Sequence, residues 1–308
     1  MDKMLKLSAS PHIHGGQSTS SIMRDVLISL VPATVAGTVI FGLRSLLVVA
    51  VCVACCVLLE FLYNLATKKD QTVKDLSAAV TGLLLALNLP ANIPLWQCVV
   101  GCIFAIIAVK CVFGGIGKNL VNPAITARVF MLVSFGSMAN QAFPIIVDTA
   151  SGATPLAQIA QDQSPKLFDL AFGLCGGAIG ETCAVALALG FVYLLVRRVI
   201  TWHLPVSFIG SVFVLSLLLE GFDFMKALSL ILSGGLFLGA IFMATDYVTS
   251  PPTAKGRVVF GIGAGILTVL IRYFGIYPEG VSFAILLMNI LNPYIERFTA
   301  HKIFGGTK

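Results

Sequence analysis

Apolar runs alternate with short polar or Pro/Gly-rich breaks along nearly the whole of this chain. A helix crossing hydrocarbon needs about 20 apolar residues, and shorter broken segments survive only where protein surrounds them. On that basis the pattern predicts ten segments: 22–41, 46–66, 77–89, 96–113, 123–139, 171–196, 204–219, 227–245, 258–275 and 281–296. Five precede the polar stretch 140–170 and five follow it. An odd number per half inserts the second half upside down relative to the first. That is the layout of inverted-repeat transport folds, whose sites lie where broken helices meet near the midplane. The third segment of each half is the interrupted one. LSAAVTGLLLALNLPANIP is ended by Pro90 and Pro94, and GAIFMATDYVTSPPTAKG is broken by Asp246, Pro251 and Pro252.

The expected fold is thus an all-α polytopic membrane protein of about ten transmembrane helices, in two inverted five-helix halves with broken third helices. The expected organisation is a polar N-terminal segment 1–21, a first membrane half 22–139, an outer loop 140–170, a second membrane half 171–298 and a tail 299–308. Composition agrees: 57% of residues are hydrophobic and 11% charged, against roughly 25% charged in soluble domains. The first 21 residues lack the apolar core of a cleavable signal, so the first span is expected to serve as its own insertion signal.

The net charge of +6 reports orientation and not nucleic-acid binding, because basic residues of membrane proteins collect on the cytoplasmic side. With the N-terminus inside, sixteen Lys and Arg residues fall inside and four outside (Arg44, Lys166, Lys226 and Arg272). Both termini are then cytoplasmic and loop 140–170 is outside. Asn119-Leu-Val-Asn122-Pro123 resembles Asn289-Ile-Leu-Asn292-Pro293. Both lie on the inner side, where inverted-repeat equivalents would not, so the match reads as coincidence or local convergence.

The eight cysteines lie within or at the ends of apolar segments, and Cys52 and Cys55 form a CxxC. With no second CxxC to complete a four-thiolate site, small apolar packing residues are the stronger reading. His12 and His14 are too few for a metal site, and no metal is expected. The outer loop carries Asp148, Ser151, Gly152, Ala153 and Thr154, followed by Pro155. Small residues around a glycine leave the Thr154 hydroxyl accessible to phosphoester attachment.

The D-x-x-S-G-A-T pattern of residues 148–154 resembles the flavinylation signal of membrane redox complexes. Five further segments resemble the NqrB/RnfD family of integral-membrane flavoprotein subunits: SPHIHGGQSTSSIMRDVLISLVPA (10–33), FGGIGKNLVNPA (113–124), GETCAVAL (180–187), ATDYVTSPPTAKG (244–256) and YPEGVSFAILLMNILNPYIER (277–297). Cys183 and Tyr247 depart from the family, where serine and proline are common. The resemblance implies FMN linked through its phosphate to Thr154 by a flavin transferase, and a second, non-covalent riboflavin among the helices. It also implies membership of an Rnf-type ferredoxin:NAD oxidoreductase in a bacterial inner membrane. Partners would be the other Rnf subunits, including the FMN-bearing G subunit, with electron relay coupled to Na⁺ or H⁺ movement. The competing reading is a small-solute channel or transporter, which has no need of a flavinylation signal.

Glu181 is expected as the one acidic residue well inside a span, and an intramembrane carboxylate is a functional candidate by default. It would bond a flavin, serve an ion path, or join two helices by a hydrogen bond. Asp246, at a broken helix end, is an ion or flavin candidate or simply a helix cap. Arg272, Tyr273, Tyr277 and Glu279 are expected at the outer mouth near the FMN loop, with an interfacial aromatic belt as the alternative for the tyrosines. Asn119, Asn122 and Arg128 border a glycine-rich inner turn.

Overall fold

A computed structural model describes residues 18–136, 143–144, 154–161, 165–275 and 279–300. Among these residues the chain forms 13 helices and no strand: α1 Thr19–Phe41, α2 Leu43–Ala66, α3 Ser77–Leu87, α4 Leu95–Cys111, α5 Pro123–Ser134, α6 Pro155–Ala160, α7 Leu167–Phe172, α8 Ala184–Val196, α9 His203–Leu219, α10 Phe224–Leu232, α11 Leu236–Met243, α12 Ala254–Phe274 and α13 Val281–Thr299. Their starts follow local chemistry. Ser18, Asn122, Asp223 and Thr253 each accept a hydrogen bond from a backbone N–H of the turn they open, and Pro123 occupies the first position of α5.

Three helices, α1, α2 and α12, are long and apolar enough to cross a bilayer, and a fourth crossing exists if α10 and α11, bent by 62°, are one span. α3 is too short to cross and is buried on every side, as a helix apolar all round should be. Large apolar side chains stand exposed on the outer helices, among them Val39, Leu43, Leu65 and Leu270. Such a surface would drive aggregation in water and is at home in lipid. This is a helical membrane protein.

Close helix pairs use small residues, since apolar burial gives no preference for protein over lipid. Gly261 and Gly265 of α12 face Ser207 and Ser211 of α9, and the Ser211 hydroxyl is 3.5 Å from the Gly261 carbonyl. Two breaks sit deep in the protein. After α3 the chain leaves the helix through tight turns, and the carbonyls of Leu87 and Leu89 accept hydrogen bonds from Gly180 (2.8 Å) and Ile179 (3.0 Å). The expected span 171–196 is itself interrupted: residues 173–183 are not helical, and α8 begins only at Ala184. Each irregular stretch therefore satisfies the other's backbone groups, the condition for non-helical chain at membrane depth.

Candidate functional site

Polar side chains gather where these breaks meet. Arg128 projects from α5 and is buried. It donates to the Asn88 side chain at the end of α3 and to the Glu279 carboxylate just ahead of α13, and lies 3.4 Å from Glu181. Glu181 accepts a further bond from the Ala178 backbone N–H at 3.1 Å. Gly235, in the α10–α11 break, has a φ of +69°, and a β-carbon there would stand 2.6 Å from a Glu181 oxygen. One fork-shaped cation thus answers two carboxylates in a dry place, where an unpaired charge would be costly.

Arg272 has a different task. Its guanidinium donates to the carbonyls of Leu230 (2.7 Å), Ser233 (3.0 Å), Gly234 (3.4 Å) and Glu279 (3.3 Å). These include groups that α10 leaves open where it breaks, so Arg272 pins the break and presents the Glu279 backbone to the cluster. Tyr273 instead donates to Glu220 at 2.6 Å.

A narrow cleft lined by Thr154, Cys175, Thr182, Ser233, Glu181 and Glu279 opens beside this cluster. Thr154 caps α6, its hydroxyl accepting from the Ala157 N–H at 3.2 Å. α6 is anchored by Leu156 and Ile159, which pack with Leu230 and Tyr273. The Thr182 hydroxyl oxygen in the same cleft is buried and has no partner among the described residues. The threonine expected in an open loop therefore begins an anchored helix, 27 residues before Glu181 in sequence but sharing its cleft.

A second cavity, of 390 Å³, lies at the opposite ends of α3, α5 and α11 and is mainly apolar, with Asn119, Asn122, Thr81, Lys110 and Asp246 among its polar walls. The Asn119 side-chain oxygen is buried without a partner among the described residues. Asp246 accepts from the Thr249 hydroxyl at 3.2 Å. With its amide oriented to satisfy both neighbours, Asn289 accepts from the Asn122 N–H and donates to the Thr249 carbonyl, each at 3.2 Å. The two Asn-Pro motifs that sequence treats as unrelated meet here, α5 against α13.

Three expectations need correction. Glu181 is not inside a helix but on the irregular stretch before α8, held there by backbone pairing with the end of α3. Nor is it the one acidic residue within the spans: Glu60 in α2 and Asp25 in α1 are also buried, Glu60 paired with Lys110 at 2.8 Å. Sequence carried that signal, since Glu60 falls inside the apolar run 46–66. Lys110 and Arg128, counted among the inner basic residues, are likewise buried partners of carboxylates, so the inner count of sixteen falls to fourteen. Arg272 is a structural clamp; Glu279 does reach the cleft of Thr154. Tyr277, Asp148, Ser151, Gly152, Ala153, His12 and His14 lie outside the described residues. In the CxxC, Cys52 is buried and Cys55 only partly so. Buried Cys56, one turn from Cys52, faces inward with it, towards Cys98 and Cys102 of α4. Among the described residues no three His, Cys, Asp or Glu side chains group to hold a metal ion.

The sequence profile described as the NQR2, RnfD, RnfE family matches residues 6–305. The D subunit of the Na(+)-translocating ferredoxin:NAD(+) oxidoreductase complex of Acetobacterium woodii is 46% identical, over 99% of this chain and 96% of its own length. Its counterpart in the proton-translocating ferredoxin:NAD(+) oxidoreductase complex of Clostridium ljungdahlii is 37% identical, over 97% and 96%. The D subunit of the ion-translocating oxidoreductase complex of Escherichia coli is 33% identical, over 99% of both chains. A match that runs from residue 6 to residue 305, with relatives of this identity along their whole length, leaves no segment of the fold unaccounted for: the chain belongs to the NQR2, RnfD, RnfE family.

Proposed function

We propose that this chain is a membrane subunit of an ion-translocating ferredoxin:NAD⁺ oxidoreductase complex, carrying FMN on Thr154 and relaying electrons across a bacterial inner membrane. The relatives' names carry the complex; the cleft shared by Thr154, Thr182, Glu181 and Glu279 carries the site. The unpartnered Thr182 hydroxyl beside a threonine at the cleft mouth fits a phosphoester tether, which offers acceptor oxygens. Thr154 and Thr182 would hold the tether. Bound flavin would supply reversible one- and two-electron carriage. The protein's part is to anchor the attachment through α6 and to keep a paired carboxylate cluster beside it.

A second, non-covalent flavin such as riboflavin fits the 390 Å³ cavity, which lies within the size range of small-molecule sites, about 300–1,000 Å³. Asn119 would satisfy its buried oxygen there, with apolar walls from Ile22, Leu84 and Phe242 against the ring. The two sites sit at opposite ends of the buried core, as a transmembrane relay requires. The fourteen remaining inner basic residues support cytoplasmic termini, an outer Thr154 and ten crossings in two inverted halves. Glu181, Glu279 and Asp246 are the groups offered to a Na⁺ or H⁺ path. A flavin transferase would mature the chain, and other Rnf subunits, the FMN-bearing G subunit among them, would exchange electrons with it.

The test is direct. Matured beside its transferase, the denatured chain should show a fluorescent gel band and an FMN-phosphate mass increment on the peptide holding residue 154. Thr154→Ala should lose both. A matured wild-type chain without either signal would refute the assignment.

A further inference from the structure

A smaller cavity of 160 Å³ lies where the α8–α9 turn meets the start of α12, walled by Arg198, Thr201, Tyr247, Ser250 and Arg257. Two arginines from different elements share this space, and among the described residues no carboxylate lines it. Arg257 donates from Nε to the Pro251 carbonyl (3.1 Å) and from Nη1 to the Thr201 hydroxyl (2.8 Å). A guanidinium has five N–H donors, so three remain for a ligand. Arg198 donates no side-chain hydrogen bond to any described residue and is held at φ +55°, a left-handed backbone that costs a non-glycine residue energy. The Tyr247 hydroxyl is fastened to the Val199 carbonyl, which fixes the wall between this cavity and the larger one.

The elements that carry these residues also expose apolar side chains beside basic ones. Val196, Trp202 and Val206 flank and follow the α8–α9 turn and Val259 lies on α12, with Arg197 and Lys255 exposed in the same stretches. Tryptophan favours the depth of lipid headgroups. A cationic, hydroxyl-lined hollow on elements that also expose apolar side chains and a tryptophan has the polarity of an anionic amphiphile. We propose that this cavity binds the phosphodiester headgroup of an anionic phospholipid. Arg198 and Arg257 share the phosphate, the Thr201 hydroxyl, which accepts from Arg257 and keeps its own hydrogen, supplies a further donor, and the acyl chains lie on the exposed starts of α9 and α12. Basic pockets between helices at the cytoplasmic face are the places where such headgroups are read. This site is independent of the flavin reading and stands or falls separately from it.

The experiment uses the full-length chain in phosphatidylcholine nanodiscs with and without phosphatidylglycerol, and native mass spectrometry to count which lipid stays bound. The wild type should retain phosphatidylglycerol in preference to phosphatidylcholine. Arg198→Gln should cut that preference about fivefold, the worth of one cation near a lipid surface, and Arg198→Lys should keep most of it. The ratio is read within one sample, so a change in fold stability alone leaves it unmoved. Equal preference in wild type and Arg198→Gln would overturn the site. Inorganic phosphate raising the melting temperature in pure phosphatidylcholine as much as phosphatidylglycerol does would make it a soluble-anion site and overturn the lipid.

Discussion

The Lys110 ammonium of α4 stands 2.8 Å from the Glu60 carboxylate of α2, and neither side chain is more than 3% exposed. Lys110 also donates to the Ser77 hydroxyl (2.6 Å), which donates to Asp75 (2.5 Å), and Glu60 accepts from Thr72 (2.9 Å). The pair thus ties two helices to the turn that opens α3. Removing one partner of a buried pair strands the other charge, at a cost of about 3–5 kcal/mol. Lys110→Met should therefore lower the yield and melting temperature of the purified chain sharply. The double variant Lys110→Met/Glu60→Leu should recover much of the loss, because neither charge is then left behind. A double variant no better than the single one would show that the surrounding hydroxyls, and not the pair, hold the turn.

At the central cluster, Glu181→Gln keeps the shape and the bond from Ala178 while removing a titratable group. The chain should assemble, retain its flavin and lose ion-coupled electron transfer in membrane vesicles. Wild-type coupling in this variant would leave Glu181 a helix-joining residue. Arg128→Lys should be worse for folding, since an ammonium cannot span Asn88, Glu181 and Glu279 as a planar fork does. Thermal unfolding of the two variants, measured together, separates the roles.

Thr154 caps α6 as well as offering a hydroxyl. Thr154→Ala should cost about 1 kcal/mol of local stability, the usual worth of a cap, beyond its loss of flavin. Thr154→Ser keeps the cap and the hydroxyl, so its α6 should show wild-type amide-exchange protection. Serine carrying flavin at the threonine level would show that the transferase reads the hydroxyl alone.

Orientation is open to labelling. Single cysteines at 197–203 should react with impermeant reagents only from the cytoplasmic side, and those at 221–225 only from outside. Reaction of both from one side would undo the topology and the outer position of Thr154 with it.

The class of the molecule was legible in the chain because the bilayer acts on composition and run length, which are local properties. The breaks at Pro90 and at Asp246, the small-residue stretch ending in Thr154, and the family itself were readable for the same reason. Pairing was not. Glu60 and Lys110 are 50 residues apart, and Arg128 and Glu279 151; nothing in either neighbourhood names the other. The residues 173–183 read as part of one apolar helix, and a hydropathy pattern cannot reveal that their backbone is needed to satisfy Leu87 and Leu89. Charge counting likewise took Lys110 and Arg128 for flanking cations, because a buried cation and a solvated one look alike until a carboxylate is placed beside it. Sequence alone determined that the chain is helical, lies in a membrane and holds a small-residue stretch ending in Thr154. Only the tertiary structure decided which helix ends meet, which charges neutralise each other, and that Thr154 and Glu181 face one cleft. Those are contacts between distant segments, and in a medium without water each buried polar group must find its partner there.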